Sequence, residues 1–267
     1  MNLREIIMDA IKFPISDTRK FLIFCALIIL MSLSTILPSY GVKNDTLSLI
    51  LSLVTLIVLF VVLGYSVEVI KSGTDGENTL PDFDYVKQFV IGIKALILDI
   101  IYFIIPTVIV IIVASASGLF SSFTNIVYAS IDAISNGAEN LTMITAAIPK
   151  STMDTFTTSL TVTLIVAIIL FIIFSLMSFT GLVRFAKSGS GTEGLRFREI
   201  LKDMSKVGFI KIIVTLIVIY IIAFALAIVF GLIGLIPYIG VFISVFIGMP
   251  FIMLFLYRAI GLLYADA

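Results

Sequence analysis

The stretch "VGFIKIIVTLIVIYIIAFALAIVFGL", residues 207–232, carries a single charged side chain, Lys211. An α-helix rises 1.5 Å per residue and the hydrocarbon core of a bilayer is about 30 Å thick. About 20 mainly apolar residues therefore cross it, and this run is long enough. Five further runs of the same kind lie at roughly 20–38, 46–70, 89–118, 158–184 and 239–264. Composition agrees with them. Of 267 residues, 60% are hydrophobic and 13% charged, where a soluble domain carries about half and about a quarter. The longest interval between runs, about 118–157, is too short for a separate domain. The sequence thus predicts an all-α, polytopic membrane helix bundle, one integral membrane domain over 1–267 with six spans.

Ahead of the first span, Leu3, Ile6, Ile7, Ala10 and Ile11 share one helical face and Arg4, Glu5, Asp9 and Lys12 the other. That pattern predicts an amphipathic helix within 1–15, lying in the membrane interface. Pro14 ends it, and Ser16-Asp17 supplies a cap for the first span. The basic start followed by an apolar run has the outline of a signal peptide. After Leu37, however, the chain reads Pro38-Ser39-Tyr40-Gly41, with no small-residue cleavage site, which predicts an uncleaved span.

Net charge is zero, but its distribution is informative. With the N-terminus in the cytoplasm, only Lys43 and Lys150 of the 17 Lys and Arg residues fall outside. Positive charge collects on the cytoplasmic side of membrane proteins, so both termini are expected there, in a multi-pass protein of the cell membrane. The glycosylation tripeptides at Asn44 and Asn140 then fall outside. Cys25 stands alone in the first span and reads as a packing residue.

Two interruptions open with the same Lys-Ser-Gly, at 71–73 and 187–189. Gly64, Lys71, Lys94 and Tyr102 correspond to Gly181, Lys187, Lys211 and Tyr220, which suggests a parallel internal repeat of helix, glycine-rich turn, amphipathic helix and helix. In the second copy Phe197, Ile200, Leu201, Met204 and Val207 form an apolar stripe. Arg196, Arg198, Lys202 and Lys206, with Glu199 and Asp203, occupy the rest, so these four cations are candidate contacts for lipid headgroups. In the first copy Pro81 suits a first helical turn, and Phe83, Val86 and Val90 form the stripe.

The first copy also carries a resemblance. Gly64-Tyr65, an acidic loop, Leu80-Pro81-Asp82-Phe83-Asp84, then Gly92, Lys94, Tyr102 and Pro106 resemble an uncharacterised family of polytopic membrane proteins common in methanogenic archaea. More loosely, the layout is similar to the membrane region of some bacterial glycerophosphodiester phosphodiesterases, whose catalytic domain this sequence lacks. The resemblance implies a membrane fold and source, and no activity.

Residues 189–194 match G-x-G-x-x-G in letters, but a dinucleotide site needs that motif after a strand, and here it follows an apolar helix. Asp75, Glu77, Asp82 and Asp84 do not have the spacing of a calcium loop. The chain has no histidine, which removes His-based acid–base chemistry and His-ligated metals. Neither a catalytic residue nor a cofactor is expected. Asp99 is the one acid well inside a predicted span, and such carboxylates are costly and are read first as functional. It is open to three readings: an ion pair with Lys211, Arg184 or Arg258, a proton- or ion-transport role, or exposure at the inner interface. Glu68 is read as paired with Arg184 or Arg258.

Near the C-terminus, residues 231–240, including Tyr238, form a tight hairpin. Gly240 and Gly248 allow close helix contact, and Pro250 kinks the last span. Phe120, Phe123, Val127, Ile131 and Ile134 mark an apolar helical stripe in the outer loop. The leading functional expectation is a non-enzymatic membrane component that organises lipid or an unidentified membrane protein partner, without nucleic acid. The alternative is a small-solute or ion transporter using Asp99.

Overall fold

The computed structural model describes residues 2–265 apart from 40, 43 and 238, and at Ser39 the backbone alone. Positions Tyr40, Lys43 and Tyr238, named above, therefore lie outside the described residues. Those described residues form helices and no strand. Among the described residues, six helices are long and apolar enough to cross a membrane: Thr18–Pro38, Asp45–Asp75, Tyr85–Ala116, Lys150–Ser188, Phe209–Gly234 and Gly240–Leu263. In chain order the helices are α1 (Leu3–Lys12), α2 (Thr18–Ser39), α3 (Asp45–Asp75), α4 (Tyr85–Ala116), α5 (Leu119–Ser135) and α6 (Leu141–Ala147). They continue with α7 (Lys150–Ser188), α8 (Phe197–Val207), α9 (Phe209–Gly234), α10 (Gly240–Ile243) and α11 (Met249–Leu263). They fall into two compact units, one of Met1–Asp99 with Met177–Ala267, the other of Ile100–Leu176.

The larger unit is assembled through glycine. Between helices in lipid there is little hydrophobic drive, so close van der Waals approach holds them together and small residues permit it. On α3 and α4 the arrangement is reciprocal. A Cβ on Gly64 would lie 1.8 Å from the Gln88 carbonyl oxygen, and one on Gly92 would lie 1.9 Å from that of Phe60. Each helix thus offers a glycine to a carbonyl of the other, one turn apart, and the Phe60 and Phe89 rings meet edge to face beside them. Gly73 of α3 and Gly261 of α11 make a second such approach, each with its Cα against the other's missing side chain. Gly248, as expected from sequence, gives way to the Phe230 ring.

Termini and caps follow the sequence in part. Asn2 and Glu5 form a capping box at the start of α1, and Asp17 accepts from the Lys20 amide at the start of α2. The helix expected around Pro81 is absent. Residues 77–84 are non-helical, and Asp84 accepts from the Lys87 amide to begin α4 at Tyr85. The first interruption therefore has no separate amphipathic helix, and Val86, expected in its stripe, is exposed on α4. What replaces it is a pinned loop: Leu80 is buried, Tyr65 Oη donates to the Pro81 carbonyl at 3.2 Å, and the Phe83 ring stacks on Tyr65 at 4.3 Å. Those anchors are the Leu-Pro-Asp-Phe-Asp run.

A proline ring clashes with the carbonyl four residues back and offers it no N–H. Here Ser244–Gly248 winds as a π-helix between α10 and α11, and Pro250 stands in the first turn of α11.

In the smaller unit, Ser122 and Ala133 of α5 are buried, Phe123 meets the Phe156 ring of α7, and Ser159 donates to the Ser117 carbonyl. The stripe Phe120, Phe123, Val127, Ile131 and Ile134 is exposed.

Gly64→Ala should lower stability in detergent by about 3 kcal/mol, because α3 and α4 must separate to admit the methyl group. Gly231→Ala, on α9 with open space around it, should be neutral or stabilising by up to about 1 kcal/mol. Equal thermal shifts for the two variants would contradict this account of the packing.

Candidate functional site

One end of the larger unit gathers nearly all of its buried charge. Four segments meet there: α1, the loop 76–84, the turn 189–196 with α8, and the end of α11. Arg258 of α11, 1% exposed, ties α1 and the loop to that helix. Its Nε donates to Asp9 Oδ1 at 2.7 Å, its Nη1 donates to the Glu77 carbonyl at 2.6 Å and to Ser72 Oγ at 3.4 Å, and its guanidinium lies 4.3 Å over the Phe13 ring. Ionised donors make the stronger hydrogen bonds, and arginine suits this role because its planar fork serves several acceptors at once. Gly76, at φ 72°, ends α3 in the left-handed conformation and so aims the Glu77 carbonyl at the guanidinium.

Arg184 plays the matching part at the second turn. Its Nη2 donates to Glu193 Oε2 at 2.8 Å, its Nη1 to Asp203 of α8, and its Nε to the Glu193 carbonyl at 3.3 Å. This fastens the turn and α8 to the end of α7. Gly194 fits there because a Cβ would collide with Leu98.

The ion pairs differ from those expected. Glu68 pairs with Lys87 at 2.7 Å and accepts from Gln88 Nε2 at 2.6 Å, not from either arginine. Asp99 accepts from Ser178 Oγ at 2.7 Å. The cation expected beside it is not among its hydrogen-bond partners: Arg184 is held by Glu193 and Asp203, Arg258 by Asp9, and Lys211 is exposed at the start of α9. Sequence spacing ranked only cations at the ends of apolar runs. It did not weigh the acids that folding brings to them, namely Asp9 on the polar face of α1 and Asp203 on that of α8.

Around α8 the expected stripe faces protein. Ile200 and Met204 are buried, while Leu201 is exposed. Arg196 pairs with Glu193 at 2.8 Å, Lys202 with Glu199 at 3.7 Å and Lys206 with Asp203 at 3.6 Å, yet the four candidate cations Arg196, Arg198, Lys202 and Lys206 are exposed. Asn44 and Asn140 cap α3 and α6 through their side-chain oxygens, and both are exposed.

Cavities open at both ends of this unit. One of about 240 Å³ lies among Thr180, Arg184, Lys187, Asp203, Lys206 and Tyr264. Burial pushes the Tyr264 hydroxyl up to about 12, so it stays neutral, bonded to Thr180 at 2.7 Å. A second, of about 280 Å³, is lined by Glu68, Asp75, Glu77, Asp82 and Asp84 with Lys71 and Lys87. Lys20 donates to Asp82 at 2.8 Å and holds that exposed carboxyl below the usual range. Since the folded value is depressed, this tie is complete above the unfolded value of about 4 and is lost as pH falls below it. The third, an apolar groove of about 330 Å³, lies at the opposite end between α2 and the last span.

A model of a protein family of unknown function, DUF4013, matches residues 47–236. The chain belongs to the DUF4013 family. No curated protein and no solved structure matches it. The matched residues include the Gly64–Gly92 crossing, the Leu-Pro-Asp-Phe-Asp loop and the Arg184 turn. They leave out α1 and α11, which supply Asp9 and Arg258.

With Ser178 as its partner, Asp99→Asn keeps an acceptor for the hydroxyl and should change stability by less than about 1 kcal/mol. Chemical or thermal unfolding in detergent checks this. A loss near the 3–5 kcal/mol typical of a stranded buried ion pair would reinstate a cationic partner.

Proposed function

We propose that this DUF4013 protein is a non-enzymatic membrane component that gathers anionic lipid around its α8 end. The observation that carries the reading is α8 itself. Burial of Ile200 and Met204 and the Arg184–Asp203 pair fix the helix between the ends of two spans and leave Arg196, Arg198, Lys202 and Lys206 exposed, and on this reading those cations lie among headgroups. A cation near an anionic leaflet gains about 1 kcal/mol, and here none is spent on ordering the helix, which the fold has already placed. Arginine and lysine at a phosphate level can also exchange their weak surface pairs for lipid at little cost.

On this reading the α8 end, with both termini, faces the cytoplasm of a cell membrane, as the distribution of Lys and Arg supports. The resemblance to methanogen proteins suggests an archaeal one. Kinship with the membrane region of glycerophosphodiester phosphodiesterases would fit a lipid-facing role. The transport reading draws less support, because Asp99 is bonded to Ser178. A membrane protein partner remains compatible with the same basic surface.

The test is lipid retention. Protein purified from vesicles of equal phosphatidylglycerol and phosphatidylcholine should carry phosphatidylglycerol in excess. The double variant Arg198→Glu, Lys202→Glu should abolish that excess while leaving the thermal midpoint within about 2 °C, since both positions are exposed. Added salt should weaken the preference in the original protein. Equal retention of the two lipids, or an excess unchanged in the variant, would contradict the proposal.

A further inference from the structure

The cavity of about 240 Å³ at the end of α7 gathers hydrogen-bond donors that the protein leaves unmet. Arg184, Lys187 and Lys206 line it, together with the acids Glu193 and Asp203. Three of the five N–H donors of Arg184 go to Glu193 Oε2, to Asp203 and to the Glu193 carbonyl. Two therefore take no acceptor among the described residues. Lys206 stands 3.6 Å from Asp203. That is an ion pair but too long for a hydrogen bond, so among the described residues its ammonium donates none. The acids are already taken. Glu193 holds Arg184 through Oε2 and Arg196 through Oε1, each at 2.8 Å, and Asp203 holds Arg184 through Oδ2.

Charge points the same way. Four cations, the three of the lining and Arg196, meet two carboxylates and leave an excess of two positive charges. Tyr264, neutral and bonded to Thr180, adds no negative charge to the lining. Capping of α7 does not account for the cations, because its Arg184 and Phe185 carbonyls accept from Ser188 Oγ and from the Gly189 amide. The glycine-rich turn builds the site instead. Gly189, at φ 71°, ends α7, and Gly194 fits beside Leu98, so Glu193 returns to Arg184.

Unmet donors on an arginine and a lysine call for an anion with several acceptor oxygens. A carboxylate offers two oxygens and one charge. A terminal phosphate offers three oxygens and about one and a half to two charges near pH 7, which matches the excess. Guanidinium and ammonium groups are both its usual partners. We infer that this cavity is a binding site for a terminal phosphate group, held by Arg184 and Lys206 with Lys187 beside them. The group can be carried by a membrane lipid such as phosphatidic acid, or by inorganic phosphate and soluble monoesters, and the recognising chemistry is the same. The site goes beyond the lipid gathering proposed above, since it uses Lys206 but neither Arg198 nor Lys202.

Two arms test it on the full chain at physiological salt. In the first, radiolabelled inorganic phosphate is dialysed to equilibrium against the protein in neutral detergent. In the second, protein is purified from phosphatidylcholine vesicles containing equal phosphatidic acid and phosphatidylglycerol, and the retained lipid is counted. Saturable binding of about one phosphate per chain identifies a soluble ligand, and an excess of about one phosphatidic acid per chain identifies a lipid. Either signal should fall about tenfold or more in Lys206→Gln, which removes a charged hydrogen bond. It should fall likewise in Ser188→Glu, which sets a carboxylate in the lining. Both positions are exposed, so the thermal midpoints should hold. Lys206→Arg should restore binding, and Arg198→Gln, Lys202→Gln should keep it. A signal in neither arm, or one unchanged in Lys206→Gln and Ser188→Glu, would overturn the site. Phosphatidylglycerol held as well as phosphatidic acid, and both lost only in Arg198→Gln, Lys202→Gln, would also overturn it while leaving the lipid gathering in place.

Discussion

A buried guanidinium organises the larger unit. Arg258 arrives on the last span, and leaving its charge unpaired in an apolar interior would cost several kcal/mol. The chain meets that cost with parts remote in sequence: Asp9 from the first helix, the Glu77 carbonyl from the loop after α3, and the Phe13 ring. Each of these needs its own local support. Asp9 points inward because Ile6 and Ala10 are buried on the same side of α1. Glu77 presents its carbonyl because Gly76 turns left-handed. The α3–α11 contact closes because Gly73 and Gly261 have no side chains. One cation thereby couples the N-terminal helix, the first interruption and the C-terminal span.

The second arginine shows the same logic with a different outcome. Arg184 is half enclosed by Glu193 and Asp203, and so fixes α8 by its acidic side. That choice leaves the basic side of α8 outward, which is the basis of the lipid proposal. Both arginines thus do structural work inside the unit, while Arg198, Lys202 and Lys206 at its edge stay exposed. The polar demand of Asp99 is met more simply, by a hydroxyl one helix away.

The six spans were legible because apolar length alone specifies them, and the Asp17 cap because an N-cap is a local device. The close approach at Gly248 was legible too, since a glycine on a spanning helix has few other uses. Charge pairing was not, for a physical reason. Which carboxylate meets which cation depends on how helix ends converge, and Asp9 and Asp203 both lay on faces that periodicity marked as polar and turned toward the membrane interface. The interruption at 71–84 misled in another way. Its aromatic spacing resembled a helix, but Asp84 caps the chain downstream and Phe83 finds a better partner in the Tyr65 ring. Local periodicity lost there to one cap and one stacked pair.

The central claim, that Arg258 and Asp9 act as one buried pair joining the ends of the chain, is tested most directly by a double-mutant cycle. Asp9→Asn, Arg258→Met and the double variant would be compared by unfolding in one detergent. Coupling of about 2–3 kcal/mol is expected, with the double variant more stable than the sum of the single losses implies, because the second substitution removes the charge the first leaves stranded. Losses that add to within about 0.5 kcal/mol would show that the two residues act independently and would contradict the account.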